Sequence, residues 1–293
     1  MRVVMTGGTS GIGLVAAEHL LKRGVQLVIG ARRALPSALA GRADRLALDL
    51  ADLDSVRAFA RQVMAEPFDV LLLNAGMQVA RDQRSPQGFE LTFATNHLAH
   101  HLLAQTLAPK LNPNGRVILT ASGVHDPEAK TGMPPPNHAD AHRLAFPETD
   151  PTLDADPGQA GRRAYSSSKL CNVMTARTLA RRLAAERPDV AVAALDPGFT
   201  PGTGLARDYP APISFVFRRV LPLVVRGERV STPQRSGAFL ADLAVTPEYA
   251  GARGDYFSVR GQSLKRVDPS VYARDDAAGE RLWVESEALI GPE

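Results

Sequence analysis

A tyrosine and a lysine four residues apart are the side chains of this sequence best suited to proton chemistry. Tyr165 and Lys169 bound the run Tyr-Ser-Ser-Ser-Lys at the start of a helical pattern, and this spacing places phenol and ammonium on one helix face. A phenol with a pKa of about 10 is a poor base at neutral pH, but a neighbouring ammonium stabilises the phenolate and lowers that pKa. Ser122 follows a predicted strand, where its hydroxyl can hold a reacting carbonyl oxygen. Taken in isolation, a Tyr-x-x-x-Lys pair is more simply interpreted as a surface pair, so the prediction of a general acid–base site depends on the motifs that accompany it.

A glycine-rich segment between the first predicted strand and the first predicted helix indicates a dinucleotide site. It reads Thr6-Gly-Gly-Thr-Ser-Gly-Ile-Gly13. Glycines there allow a tight turn, let the backbone approach a pyrophosphate and let the helix pack closely on the strand. The N-terminus of the helix offers N–H groups and a positive dipole end to the anion. We assign cofactor contacts in this segment to Gly7, Thr9, Ser10, Gly11, Ile12 and Gly13.

The end of the second predicted strand indicates which dinucleotide binds. NAD-binding proteins usually carry an acidic residue there that holds the ribose 2′-hydroxyl, whereas this chain has Arg32 and Arg33. A guanidinium pairs bidentately with a phosphate, which a carboxylate would repel. The sequence therefore predicts NADP(H) rather than NAD(H), with Arg32 the preferred phosphate ligand. Further cofactor contacts are assigned after the third and fourth predicted strands, to Asp49 and Leu50 and to Asn74, Ala75 and Gly76.

Apolar runs alternate with amphipathic segments along the chain. The predicted strands are Arg2–Thr6, Val25–Gly30, Arg45–Leu48, Phe68–Leu73, Arg116–Thr120, Val190–Leu195 and Tyr256–Val259. The predicted helices are Ile12–Arg23, Leu53–Ala65, Ala94–Leu111, Tyr165–Arg187 and Thr232–Ala244. Strand–helix alternation with continuously apolar strands predicts a doubly wound α/β fold. No linker composition divides residues 1–293, so we expect one domain.

Two stretches interrupt this alternation. Residues 123–164 contain many prolines and aspartates, which predicts a long irregular insertion. Residues 199–229 hold two apolar runs, and they are interpreted either as an ordinary packed helix pair or as a lid over a hydrophobic substrate.

Composition excludes several classes of protein. The 293 residues are 44% hydrophobic and 22% charged, with 34 basic against 31 acidic residues, so no global charge field indicates a nucleic-acid partner. Cys171 is the only cysteine, which excludes an internal disulfide and a multi-cysteine metal site. His97, His100 and His101 lack matching carboxylates or cysteines, so no metal site is predicted. Neither a membrane-spanning run nor a signal-peptide pattern is present, which predicts a cytoplasmic protein.

Taken in order, the motifs resemble those of the short-chain dehydrogenase/reductase superfamily over essentially the whole chain. The set comprises Thr6-Gly-x-x-x-Gly-Ile-Gly13, Asn74-Ala-Gly76, Asn96, Ser122, Tyr165-x-x-x-Lys169 and Pro197-Gly198. The local sequences at residues 95–100, 164–173 and 278–286 are similar to those of the branch that includes retinol dehydrogenases, the WW-domain oxidoreductase and light-dependent protochlorophyllide reductase.

The resemblance implies roles for the matching positions. It implies a Rossmann-type, mostly parallel seven-stranded sheet in the order 3-2-1-4-5-6-7. Tyr165 would donate the proton in reduction or accept it in oxidation, Lys169 would bind the nicotinamide ribose and tune Tyr165, and Ser122 would orient the carbonyl. Asn96 would hold a water in the proton relay. Contacts to the nicotinamide end are assigned to Pro197, Gly198, and Thr200 or Thr203, with Thr203 preferred.

The sequence thus predicts an NADP(H)-dependent oxidoreductase acting on a bulky apolar ketone, aldehyde or alcohol, with hydride delivered from the 4-pro-S face as the family implies. Reduction of a carbon–carbon double bond is the alternative within enzymes. A non-catalytic NADP(H) sensor or scaffold is the alternative outside them. The resemblance leaves open a homodimer that pairs the helices after the fourth and fifth strands, or a monomer.

Overall fold

The computed structural model describes residues 1–79, 82–200 and 227–292, and its centre is one eight-stranded sheet. Its strands are β1 (Arg2–Thr6), β2 (Gln26–Ala31), β3 (Asp44–Ala47), β4 (Val70–Leu73), β5 (Arg116–Thr120), β6 (Ala191–Asp196), β7 (Arg253–Arg260) and β8 (Ser263–Arg266). They lie in the order β3-β2-β1-β4-β5-β6-β7-β8. All neighbours are parallel except β7 and β8, which form an antiparallel pair.

The predicted order 3-2-1-4-5-6-7 is confirmed, and β8 adds an antiparallel edge strand to it. Residues 263–266 read Ser-Leu-Lys-Arg, with one apolar side chain on a mostly exposed edge strand, so they carry little of the apolar signal that marks the central strands. β4 and β5 are buried at every residue, as expected for strands covered on both faces.

Helices cover both faces of the sheet. Numbered through the described residues, they are α1 (Gly11–Lys22), α2 (Leu53–Val63), α3 (Leu91–Phe93), α4 (Ala99–Leu107), α5 (Ala141–Ala145), α6 (Pro157–Leu183), α7 (Pro233–Val245) and α8 (Asp276–Ile290). Helices α1 and α7 pack on one face, and α2, α4 and α6 pack on the other. A π-helical turn, Ala94–Leu98, joins α3 to α4.

The helix that carries the predicted acid–base pair begins earlier than expected. The prediction of irregular structure was wrong for residues 157–164, because α6 begins at Pro157. Proline at the first helical position follows Asp156, whose carboxylate accepts the N–H of Gln159 at 2.7 Å. Tyr165 therefore lies inside a long helix rather than at its end, which holds its side chain more firmly. The rest of the insertion forms short helical turns and α5.

Parallel strands bring their carboxyl ends to one edge of the sheet. Thr6, Leu73, Thr120 and Asp196 end β1, β4, β5 and β6, and these strands are neighbours. The segments that follow them carry the glycine motif, Asn74, Ser122 and Pro197. The topology therefore assembles the predicted motifs along a single edge, although they are far apart in the chain.

Candidate active site

The turn between β1 and α1 has a shape that only glycine fits. Gly7 has φ +70°, and a Cβ there would lie 2.6 Å from the Cα of Ala75. A Cβ on Gly13 would lie 2.0 Å from the carbonyl oxygen of Gly7. The Asn74 amide donates to that same carbonyl at 3.1 Å, which ties the turn to the end of β4. The glycines thus allow the closest approach between the turn, α1 and the neighbouring strand.

Helix α1 begins differently from the other long helices. Its N-cap residue Ser10 makes no side-chain capping hydrogen bond. The N-cap side chains of α2, α6, α7 and α8 each accept a backbone N–H, and these residues are Asp52, Asp156, Thr232 and Asp275. The first N–H groups of α1 therefore lack the side-chain acceptor that these helices have. Uncapped N–H groups at a helix N-terminus can bind an anion.

A cleft of about 630 Å³ lies beside this turn. Its lining includes nine of the predicted cofactor contacts, which are Gly7, Thr9, Ser10, Arg32, Arg33, Asp49, Leu50, Ala75 and Gly76. Arg32 and Arg33 are exposed at its rim. One carboxylate oxygen of Asp49 accepts the N–H of Ala51 at 3.0 Å and so belongs to its own turn. Of the remaining predicted contacts, Gly11, Ile12 and Gly13 lie in the first turn of α1, and Asn74 lies behind the glycine turn.

Sequence reasoning missed part of this lining. Met77, Gln78, Leu91 and Thr95 also border the cleft. They lie on the segment after β4 and on the helical turns that follow it, and no motif marks them. Only their position in the chain could have indicated a place at the cleft, because the segment after the carboxyl end of a central strand lies at the same edge of the sheet.

The predicted acid–base residues come together at the other end of this edge. Tyr165 is 7% exposed, and its phenol lies close enough to the Ser122 side chain for that side chain to affect the phenol pKa. Lys169 is 2% exposed, and its Nζ lies 5.5 Å from the centre of the Tyr165 ring. That ammonium donates to the carbonyl oxygen of Thr120, the last residue of β5, at 3.1 Å. The helix spacing therefore places phenol and ammonium side by side, as the sequence predicts.

The environment shifts the proton affinity of both groups. Burial raises the pKa of the Tyr165 phenol, and the nearby carboxylate of Asp196 raises it further, while the Ser122 side chain acts in the opposite direction. Burial lowers the pKa of Lys169 to about 8. At neutral pH the phenol therefore carries its proton and most of the Lys169 population is charged.

Asn96 lies in the π-helical turn and its side chain holds the segment after β4. Its Oδ1 accepts the N–H of Met77 at 2.8 Å, and its Nδ2 donates to the carbonyl of Met77 at 2.8 Å. Nδ2 also donates to the Ser168 hydroxyl at 3.1 Å, and Ser168 donates to the carbonyl oxygen of Tyr165 at 2.7 Å. The amide therefore connects the cofactor edge to α6. Its assignment as a water-holding residue stays a prediction.

The predicted nicotinamide contacts follow β6. Asp196 accepts the N–H of Gly198 at 2.9 Å through one carboxylate oxygen, and it accepts the Ser258 hydroxyl at 2.9 Å through the other. This buried carboxylate fixes the Pro197-Gly198 turn, in which Gly198 has φ +73°. Thr200 is buried, and its hydroxyl bonds to the Gly198 carbonyl at 3.1 Å. The alternative, Thr203, and most of the predicted lid 199–229 lie outside the described residues.

His125, inside the predicted insertion, positions Ser122. Its Nδ1 donates to the Ser122 carbonyl at 2.8 Å, and its Nε2 accepts the backbone N–H of Ser270 at 3.1 Å. The imidazole is buried and lies edge-on to Tyr256, 5.0 Å between ring centres. A segment near the C-terminus therefore holds the backbone of a predicted catalytic residue, a contact that no local pattern could indicate.

Within 1–79, 82–200 and 227–292, no group of three or more His, Cys, Asp or Glu side chains is arranged to hold a metal ion. Over the same ranges, no helix combines the length and the apolar character needed to cross a bilayer.

Known proteins resemble this chain over nearly its whole length. The family model described as short chain dehydrogenase matches residues 1–132. Protochlorophyllide reductase of Avena sativa is 31% identical over 316 residues, which cover 99% of this chain and 99% of that protein. The chain belongs to the short-chain dehydrogenase/reductase family. Human retinol dehydrogenase 14 is 30% identical, covering 99% of this chain and 86% of that protein, so the predicted branch is confirmed as well.

Solved structures of the family share the fold. A crystal structure of an uncharacterised protein from Mycobacterium paratuberculosis has a TM-score of 0.71 and 26% identity, covering 99% of this chain and 92% of that one. A short chain dehydrogenase from Burkholderia cenocepacia in complex with NADP has a TM-score of 0.63 and 22% identity, covering 89% and 96%. The 3-ketoacyl-(acyl-carrier-protein) reductase of Brucella melitensis, complexed with NADH, has a TM-score of 0.62 and 20% identity, covering 89% and 96%.

Proposed function

We propose that this oxidoreductase uses NADP(H) to interconvert a carbonyl and an alcohol on a bulky apolar substrate, with Tyr165 as the general acid or base. The observation that carries the proposal is the buried Tyr165 phenol, which lies beside the Ser122 side chain and adjacent to the Lys169 ammonium. These groups stand at the same sheet edge as the glycine turn. A family relation alone does not specify a reaction, so the proposal depends on this geometry.

The described cleft suits a dinucleotide phosphate. Gly7 and Gly13 let the turn pack directly against Ala75 and the start of α1, where a Cβ would clash, and the first turn of α1 has no side-chain cap at Ser10. Arg32 and Arg33 place two exposed guanidinium groups at the rim, next to the end of β2. The cleft lining contains no glutamate, and its one aspartate, Asp49, follows β3 rather than β2. A terminal phosphate on the adenosine ribose is the chemistry that two arginines recognise at this place.

The protein's own groups account for the proton transfer. The bound cofactor would supply the hydride. Tyr165 enters the reaction protonated, because burial and the Asp196 charge both raise its pKa, and a protonated phenol is the form that reduction requires. Ser122 donates a hydrogen bond to the same carbonyl oxygen and holds it beside the phenol. The positive charge of Lys169 stabilises the phenolate left after proton transfer.

Several finer predictions accompany this proposal. The apolar lid 199–229 would enclose the substrate, the chain 1–293 would act as one domain, and the protein would work in the cytoplasm. Helix α8 packs on both α4 and α6, so a homodimer that pairs these two helices would have to contact α8 or displace it. Ion pairs of Arg177 and Arg181 with Asp276, and of Arg182 with Glu280, hold it there.

The test compares cofactors first and then removes the phenol hydroxyl. NADPH and NADH are titrated into the wild type, and a panel of apolar ketones and aldehydes is reduced with the preferred cofactor. Tyr165→Phe is expected to lower kcat by about 10²- to 10⁴-fold, the usual contribution of general acid catalysis. Tyr272→Phe is the matched control, because Tyr272 is 58% exposed and far from the motif in sequence. Unchanged turnover in Tyr165→Phe would refute the proton-transfer role.

A second candidate function is reduction of a carbon–carbon double bond. It is favoured by the 31% identity to a protochlorophyllide reductase over the whole chain. Turnover that needs a pigment and light, with no reduction of carbonyls in the dark, would select it over the first proposal. NADPH binding without turnover on either kind of substrate would instead select the sensor or scaffold alternative.

A further inference from the structure

A buried histidine lies between the cofactor turn and the turn that holds Asn96. His100 is 1% exposed, and its Nε2 lies 3.0 Å from the Thr6 hydroxyl oxygen. That oxygen already accepts the backbone N–H groups of Asn74 at 3.0 Å and Ala75 at 3.1 Å. A hydroxyl oxygen has two lone pairs, so both are used and its own proton points to His100. Nε2 of His100 is therefore the acceptor and carries no proton.

The second ring nitrogen of His100 completes the link. Nδ1 lies 3.1 Å from the carbonyl oxygen of Asn96, which can only accept, so Nδ1 carries the proton and donates it. The imidazole is neutral, since burial and the nearby positive charge of Lys169 lower its pKa to about 3. The two contacts thus fix one tautomer and one ring orientation.

What His100 holds in place is the backbone at Asn96. The carbonyl of Asn96 belongs to the π-helical turn, where the helical hydrogen bonds span one residue more than in an α-helix. The imidazole of His100 adds a side-chain donor to this widened turn. The turn aims the Asn96 amide, which grips both main-chain polar groups of Met77 and the hydroxyl of Ser168.

The Asn96 amide and the Lys169 ammonium face the same point. A Cβ placed on Gly76 would lie 3.2 Å from Nζ of Lys169 and 3.6 Å from Oδ1 of Asn96. Gly76 is exposed and borders the cofactor cleft. A rotation of the Asn96 turn would therefore change the distance between the Asn96 amide and the Lys169 ammonium and shift the edge of the cleft at Gly76.

We propose that His100 is a positioning residue that couples the Thr6 turn to the Asn96 turn and thereby sets the geometry beside Lys169. It touches neither cofactor nor substrate and acts through Asn96. The kinetic part of this inference rests on the proposed function. The tautomer does not, because both hydrogen bonds are present in the protein alone.

Three variants at one position separate the two hydrogen bonds. In His100→Asn, the amide nitrogen falls near the place of Nδ1 and can still donate to Asn96. In His100→Gln, the amide oxygen reaches toward the place of Nε2 and can still accept from Thr6. His100→Phe keeps the ring shape and neither bond. His101→Phe is the matched control, because His101 is equally buried, follows His100 in α4, and lies edge-on to Trp283 with 4.4 Å between ring centres.

We expect His100→Phe to lower kcat at saturating NADPH by about 10- to 100-fold, the size of effect that a misplacement of about 1 Å produces. KM for NADPH should change by less than about threefold, because the glycine turn keeps its backbone bonds. His100→Asn should recover part of this loss through its bond to Asn96, and His100→Gln should recover less, because His100 acts through Asn96. His101→Phe should lower Tm while kcat stays within about threefold of wild type.

Equal losses of kcat in His100→Asn and His100→Phe, or an unchanged kcat in His100→Phe, would overturn the positioning role. The tautomer is read separately by ¹⁵N–¹H NMR of histidine-labelled protein at pH 7, with His100→Phe used to assign the signal. A proton on Nδ1 with Nε2 bare supports the link, and a proton on Nε2 overturns it. A wild type that turns over no substrate with NADPH would defeat the proposed function alone, because the NMR result still decides the link.

Discussion

The two ends of the site differ in the kinds of group that form them and in how far those groups are exposed to solvent. At the nucleotide end, main-chain groups, glycines and the exposed guanidinium groups of Arg32 and Arg33 surround an open cleft. At the catalytic end, Tyr165, Lys169 and Asn96 are buried. The Ser168 hydroxyl links the Asn96 amide to the Tyr165 carbonyl, and the Lys169 ammonium donates to the Thr120 carbonyl. Water screens the first set of charges and is excluded from the second.

This difference sets what a substitution does at each end. An exposed arginine that is removed leaves nothing unsatisfied, so affinity for the cofactor changes while the fold does not. A buried polar group that is removed leaves its partner unpaired, so catalysis and stability change together. The predictions below test this contrast, from the largest expected effect to the smallest.

The largest expected effect is acid destabilisation of the catalytic end. Burial lowers the pKa of His97 and of His100 to about 3. Because the unfolded chain binds these protons near pH 6.5, the unfolded state gains protons first and stability falls as pH drops from about 6.5 toward 3. At pH 4.5 the free energy of unfolding of the protein should be lower by about 2–3 kcal/mol for each of the two histidines. Burial raises the pKa of Glu90, which opposes part of this loss.

Urea unfolding at pH 7.0, 6.0, 5.0 and 4.5 measures this loss. His100→Asn should show a shallower dependence on pH than wild type, because one depressed histidine is gone. His19→Asn is the control, because it removes a half-buried histidine from α1, on the opposite face of the sheet from His100. Equal unfolding free energies at pH 7.0 and 5.0 in the wild type would contradict the buried, neutral state of these imidazoles.

The next effect concerns the arginine pair at the exposed end. Arg32→Gln with Arg33→Gln should weaken NADPH binding by about 10- to 100-fold, the worth of charge-assisted bonds to one phosphate. NADH binding should change little, because NADH lacks that phosphate. Calorimetric titration of both cofactors measures the ratio, and the single variants test whether Arg32 contributes more. An equal loss for NADH and NADPH would place the arginines outside the phosphate site.

The smallest effect concerns Arg45, which supports the pair from behind. Its guanidinium donates to the carbonyl oxygens of Arg33 at 2.9 Å and Arg32 at 3.3 Å. Because these bonds are exposed, Arg45→Gln should weaken NADPH binding by only about two- to fivefold, with NADH unaffected. Arg42→Gln is the control, since Arg42 is also exposed but bonds to Ala38 at 3.3 Å. Identical NADPH affinities in the two variants would remove Arg45 from cofactor selection.

The strongest sequence predictions concerned local patterns. The continuous apolar runs of β4 and β5 and the glycines after β1 identify buried parallel strands and a tight turn by themselves. The four-residue spacing of Tyr165 and Lys169 is fixed by helix geometry. The beginning of α6 at Pro157 was missed, because the prolines around it looked like continued loop. β8 was missed because a short exposed edge strand buries too little to leave a pattern.

The sequence by itself determined which chemistry is available, because residue types and their spacing along a helix or at a strand end are local properties. Only the tertiary structure decided how those groups are held. His100 meets Thr6 across 94 positions, and His125 meets Ser270 across 145. Such contacts depend on how the elements pack, and buried hydrogen bonds between distant residues leave no periodic signal in the chain. The hydrogen bonds that support the site therefore could not be predicted from the sequence, and only the tertiary structure shows them.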